Sequence, residues 1–267
     1  LSPPSEGARL LVTLVVVAAC LGGSPRAPAQ EYFEGFDAPG RPPERAGIIW
    51  SYEAQLAPGN WKTLIPGDGY AHLRVERRAL RKLSPAPASW PFQTLSLGPV
   101  TRDHRISIRA KNTAIAGVAG LLFTYGKKET IDEIDIEIVA DDTEGPLTGH
   151  RQDAHGGWTD VRLNVWSNAP ANASHPTQSL RTPIRDASGQ KVSHQDGRFH
   201  IYTIEWRAAL VRFYIDGVKQ AELRSPAPDS PATIIFGLRQ MPWAGAPDWD
   251  SGRTMLVDWV DIEPLTE

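Results

Sequence analysis

Between Asp132 and Ile138 the chain reads DEIDIEI. In an extended strand, side chains alternate between faces, so Glu133, Asp135 and Glu137 share one side while Ile134, Ile136 and Ile138 share the other. The isoleucines pin their face into a core, which forces three like charges to stand side by side. A purely structural strand gains nothing from that arrangement. The Cα atoms of Glu133 and Glu137 are roughly 13 Å apart at about 3.3 Å per residue. Side chains leaning inward on a concave sheet bring the two carboxyls to about 5–6 Å, the separation of a retaining glycosidase rather than an inverting one. One Glu then attacks the anomeric carbon, and the other protonates the leaving oxygen and later activates water. A carboxylate cluster raises at least one member's pKa, which lets the acid keep its proton. Asp135, shorter and between the two, is placed to hydrogen-bond to a neighbour and tune it. The same pentapeptide also fits an exposed acidic strand face or a hard-cation site such as calcium.

The rest of the chain must supply the sheet that holds this strand. Its 267 residues are 41% hydrophobic and 22% charged, enough for one full-sized core and too apolar for a disordered chain. A net charge of -3 disfavours a nucleic-acid partner. With 23 glycines and 23 prolines, turns come too often for long helices. Short alternating runs are expected to form strands at 70–78, 105–111, 118–125, 133–139, 160–168, 199–206, 232–238 and 254–263. A hairpin is expected over 210–223, because Asp216-Gly217 supplies the positive φ values of a type I′ turn. Segments 80–89 and 169–197 read as loops, the second unusually long. The whole predicts one all-β domain, a β-sandwich, with no helix of ten or more residues.

With its flanks, the acidic stretch resembles glycoside hydrolase family 16, whose bacterial lichenases carry an F-x-TY segment shortly before D-E-I-D-I-E. Here GVAGLLFTY (117–125) precedes Asp132–Glu137 at similar spacing. DVRLNVWSN (160–168) resembles the strand after the catalytic one. FHIYTIEW (199–206) with VRFYIDGV (211–218) resembles the family's F-H-x-Y-x-x-x-W followed by x-W-Y-V-D-G. MPWAGAPDW (241–249) resembles its Trp-containing loop, and VDWV (257–260) its closing strand. The likeness spans nearly all of 32–263 and is strongest from Gly117 onward. It implies a concanavalin-like jelly-roll sandwich of two curved antiparallel sheets with a cleft across the concave face. Carried over, Glu133 matches the nucleophile, Asp135 the assisting carboxylate and Glu137 the general acid/base. The E-x-D-x-E form, without an extra residue, is that of lichenases and xyloglucan-active relatives. It points to a β-1,4 bond in a mixed-linkage β-1,3-1,4-glucan or a related exopolysaccharide. Ile131 and Ile138 stand where the family often has aromatics. A transglycosylase of the same family and a non-catalytic, lectin-like sandwich are the alternatives.

Nine tryptophans outnumber the seven phenylalanines and six tyrosines. Trp243, Trp249 and Trp166 are candidates for stacking on sugar rings, with Asn164, Asn168 and Gln240 as hydroxyl partners. Trp206 and Trp259 are expected in the core. Asp258 matches a family position linked to a structural calcium on the convex side, with an exposed strand residue as the alternative; no other cofactor is required. His155, His175 and His194 lack metal-ligand spacing and read as solvated loop residues. The apolar run LLVTLVVVAACL (10–21), preceded by Arg9, reads as a secretory signal over 1–29, ahead of a catalytic domain over 30–267. Ala27-Pro28-Ala29 is a cleavage site, and Val17-Ala18-Ala19-Cys20 resembles a lipobox. The expected location is therefore secreted or periplasmic, with lipid anchoring through Cys20 as the alternative. Cys20 is the only cysteine, so no internal disulfide forms. The expected partner is a polysaccharide bound by a monomer.

Overall fold

Alternation of buried and solvent-facing residues becomes fourteen strands in the computed structural model. It describes residues 31–55, 59–75, 92–112, 119–127, 130–139, 157–194, 196–224, 226–241, 244 and 253–266. The signal segment with Cys20, the loop at 80–89, His155, Trp243 and Trp249 lie outside these residues. In chain order the strands are β1 (Tyr32–Glu34), β2 (Ile49–Gln55), β3 (Ala71–Val75), β4 (Phe92–Val100), β5 (His104–Lys111), β6 (Ala119–Lys127) and β7 (Thr130–Val139). After them come β8 (Asp160–Pro170), β9 (Gln178–Pro183), β10 (His200–Arg207), β11 (Leu210–Ile215), β12 (Val218–Leu223), β13 (Ala232–Arg239) and β14 (Arg253–Pro264). One four-residue helix, α1 (Trp61–Leu64), is capped by Asn60, whose side chain accepts from the Lys62 and Thr63 amides.

Two seven-stranded antiparallel sheets result. The first runs β1-β14-β5-β10-β11-β12, with β3 also on β14, and the second runs β2-β4-β13-β6-β7-β8-β9. Their inner faces meet in one core around Trp50, which packs edge-on against Phe36 and Phe236 and donates its indole N–H to Tyr32 Oη at 2.6 Å. Fully burying an apolar side chain of this size contributes about 1.5–3 kcal/mol. Ile134, Ile136 and Ile138 all reach this core, so β7 is fixed face-down by three such side chains. The β11–β12 turn has φ of 51° at Asp216 and 75° at Gly217, as the Asp-Gly pair requires.

Every expected strand is present, but β1, β2, β4 and β9 are additional. β4 is buried on both faces for most of its length, so it shows no two-residue alternation. β9 lies inside the segment read as a long loop; it is a polar edge strand without an apolar signature.

Candidate active site

β7 lies inside the second sheet between β6 and β8, and its register with both neighbours is regular from Glu133 to Glu137. A register shift at Ile131/Glu133, just before the acidic run, marks a bulge. Buried Asp132 anchors it, accepting from the Asn168 amide at 2.7 Å and the Ser230 hydroxyl at 2.6 Å. Beyond that anchor, Glu133, Asp135 and Glu137 all line one groove of about 420 Å³ across the outer face of the sheet. Its other walls come from β2, β4, β6 and β13, so the face that carries the carboxylates is concave.

Neighbouring strands hold each carboxylate. Glu133 stands opposite Tyr125 and Trp166, Asp135 opposite Phe123 and Asn164, and Glu137 opposite Leu121 and Arg162. Asn164 donates to Glu137 Oε2 at 3.3 Å and accepts from the Ser179 hydroxyl at 2.8 Å, so β9 braces the amide that orients Glu137. The Trp166 indole donates to Asp135 Oδ2 at 3.2 Å. Asp135 Oδ1 is buried with no direct hydrogen-bond partner among the described residues, and the Glu133 carboxyl and the Asn164 amide both act on the Asp135 carboxyl. Two carboxylates cannot hydrogen-bond unless one carries a proton, and the more buried one keeps it.

The electrostatics agree. Burial pushes the Asp135 carboxyl well above the usual range, and the charges of Glu133 and Glu137 push it further. Burial also raises Glu133, opposed by the hydrogen bond from Asp135 and by the Arg239 guanidinium. Asp135 thus serves as a proton-bearing donor that keeps Glu133 more acidic than burial alone would. Asp135→Ala is therefore expected to move the acid limb of kcat/KM to higher pH, whereas Asp135→Asn, which still donates, leaves it near the wild-type position. The pH–rate profiles of the two variants check this. Stability has a definite sign as well. A carboxyl titrating higher in the folded state gives stability that is full below the ordinary carboxylate pKa and falls as pH rises. Asp135→Asn is expected to raise Tm at neutral pH and to lose that gain near pH 3, as read by thermal unfolding.

The groove also contains residues that sequence reasoning did not single out: Phe92, Phe123, Tyr125, Arg239 and Met241. Tyr125 is exposed, and Arg239 lies over the Phe92 ring with Cζ 5.9 Å from its centroid. Phe123 and Tyr125 alternate toward the same face as the acidic trio, a signal present in LLFTY once β6 is paired with β7.

The model for Glycosyl hydrolases family 16 matches residues 104–261, more than half of the chain and the segment holding the groove's acidic strand. The chain belongs to family 16. A β-glucanase of Acetivibrio thermocellus is 30% identical over 155 residues, covering 56% of this chain and 38% of that protein. The chain thus spans well under half the length of that relative. Among solved structures, a β-1,3-1,4-glucanase (lichenase) from a mouse hindgut metagenome superposes with a TM-score of 0.61 at 19% identity, covering 88% of this chain and 99% of that one. A transglycosylase structure superposes with a TM-score of 0.56 at 18% identity, over 88% of this chain and 85% of that one. At these identities the likeness is one of fold, and the two-sheet jelly-roll arrangement is that of family 16.

Within this family 16 fold, the remaining candidate residues separate. Trp166 reaches the site through Asp135 rather than by lining the groove. Asn168 is exposed and is not among the lining residues; its backbone, at φ 49°, closes the Asp132 bulge. Gln240 is buried rather than open to a sugar, since alternation along β13 sends Arg239 and not its neighbour into the groove. Trp206 is core, as expected, with its indole donating to the Pro228 carbonyl at 2.8 Å. Trp259 is not. A register shift between Val257 and Trp259 turns it onto the outer face, against Phe33, which is 57% exposed. Asp258, at the same bulge, is ion-paired with Arg109, whose guanidinium also lies 4.8 Å from the centroid of the Phe199 ring. A calcium ion at this carboxylate would have to displace that guanidinium, so the residues present do not fit one. His175 is exposed, in line with the sequence reading, but His194 is buried.

Proposed function

We propose that the chain is an exported, retaining endo-β-glycanase that cuts internal β-1,4 bonds in a mixed-linkage glucan or related exopolysaccharide. The observation that carries this reading is the placement of Glu133, Asp135 and Glu137 in one open groove, with Asp135 buried between the two glutamates. Glu133 attacks the anomeric carbon as the Glu137 carboxylic acid gives its proton to the departing glycosidic oxygen. A glycosyl ester on Glu133 and a free sugar hydroxyl result. Glu137, now ionised, takes a proton from water, and the water oxygen displaces Glu133 with a second inversion. The Asp135 hydrogen bond holds Glu133 in its ionised, attacking form, and Asn164 aims Glu137 at the glycosidic oxygen. Phe92, Phe123 and Tyr125 offer apolar faces to sugar rings.

The regular register over Glu133–Glu137 supports the lichenase-like form of the motif and hence the β-1,4 reading. The apolar run at 10–21 supports export. The test is a panel of lichenan, laminarin, xyloglucan and bacterial exopolysaccharides, with product linkage and stereochemistry read by NMR. Cleavage of a β-1,4 bond with retained configuration is expected. Binding without cleavage of any polymer would reject the enzyme in favour of a lectin-like role. Because one structural neighbour is a transglycosylase, oligosaccharide acceptors belong in the assay; transfer outrunning hydrolysis would replace the hydrolase reading.

A further inference from the structure

Away from the groove, the connection after β9 ends against the opposite sheet, at the start of β10 and the β11–β12 turn. His194 there is 1% exposed, and its ring stacks on His200 with centroids 3.7 Å apart. His194, His200 and Asp216 each offer a donor atom, and these atoms lie within 4.8 Å of one another. On each residue the other polar atom is already held. His194 Nδ1 meets the buried Tyr202 hydroxyl at 2.8 Å, His200 Nε2 meets Asp196 Oδ1 at 3.1 Å, and Asp216 Oδ1 accepts from the Ile201 amide at 2.8 Å. What remains is His194 Nε2, His200 Nδ1 and Asp216 Oδ2. The last two face each other at 2.7 Å, and His194 Nε2 is buried with no hydrogen-bond partner among the described residues.

We propose that His194, His200 and Asp216 form a site for a divalent transition-metal ion, zinc by ligand type, that staples the long connection to the sheet opposite the groove. Two imidazoles and one carboxylate are a zinc donor set, and a tetrahedral ion with bonds of about 2.0–2.1 Å draws its donors to about 3.4 Å. To admit the ion, His200 Nδ1 and Asp216 Oδ2, now 2.7 Å apart, must part by about 0.7 Å, and the His194 ring turns so that Nε2 converges with them. The pattern of held second atoms is the one that fixes tautomer and orientation in metal-ligating histidines, and Asp196 on His200 is a carboxylate–histidine pair of that kind. An ordinary buried histidine finds a partner for both nitrogens; this one has an unused nitrogen beside a histidine–aspartate pair.

The experiment is calorimetric titration of untagged, chelator-stripped protein with zinc chloride, paired with thermal unfolding. Uptake of about one ion per chain and a raised Tm are expected. Asp216→Asn, on an exposed turn, and His194→Gln are each expected to weaken binding at least tenfold, with folding checked by circular dichroism. No saturable uptake by the wild type, or equal uptake by wild type and Asp216→Asn, overturns the site. Calcium binding as tightly as zinc overturns the choice of metal. The readout does not involve hydrolysis, so the outcome is independent of the roles of Glu133 and Glu137.

Discussion

Glu133→Gln is expected to lower kcat/KM on a cleaved glucan by about 10³-fold or more, with the fold intact, and Glu137→Gln to do the same on unactivated polymer. The two are separable. Glutamine keeps the volume of glutamate, so the groove and its hydrogen bonds change little, but it can neither attack the anomeric carbon nor release a proton. Without Glu133, a small anion in its place can attack, so azide is expected to rescue Glu133→Ala and give a glycosyl azide of inverted configuration. Without Glu137, the leaving group departs unprotonated, so an aryl glycoside with an acidic phenol should recover much of the lost rate. Because Glu133 is costly to bury as an anion, Glu133→Gln should unfold no earlier than wild type at neutral pH. Undiminished hydrolysis by either glutamine variant would sink the assignment, and a glycosyl azide of inverted configuration from Glu137→Ala rather than from Glu133→Ala would exchange the two roles.

Gly237→Ala is the largest expected loss of stability, about 3 kcal/mol or more by urea denaturation. Gly237 has φ of 155°, a conformation close to glycine-only. A Cβ there would stand 2.2 Å from the Gln93 carbonyl oxygen and 2.8 Å from Thr94 Cα, both backbone atoms of β4 that no rotamer change can clear. The residue pairs with Leu121, which pairs with Glu137, so the row crossing the groove floor at the acid is the one displaced. Gly189 is the control. Its φ of 83° is also positive, but a Cβ there would meet nothing within 4 Å, so alanine should cost only about 1 kcal/mol. Similar losses at both positions would mean that backbone conformation alone, and not the close approach of β4, sets the cost.

Some of this is legible in the sequence because it is local. The DEIDIEI run carries its own alternation, and three isoleucines bury it whichever neighbours arrive. The Asp216-Gly217 turn needs only its own φ values. Other features escape for equally physical reasons. β4 forms part of the groove floor and of the core at once, so its two faces do not differ in polarity. β9 is a solvent-facing edge whose contribution is the Ser179 hydroxyl on Asn164. Trp259 reads as core because nothing in VDWV reveals the bulge that turns it outward. His194 reads as solvated because its partners Tyr202 and His200 become neighbours only when β10 is laid beside the connection.

The sequence by itself determined that this chain makes a β-sandwich with one strand presenting two glutamates and an aspartate on a single face, because side-chain direction in a strand depends on nothing but residue parity. Only the tertiary structure decided which of the three is most deeply buried and so most reluctant to ionise, which amide and indole orient them, and which side chains wall the groove. Those outcomes depend on burial and on charges brought in by strands far away in the chain, and parity carries no information about either.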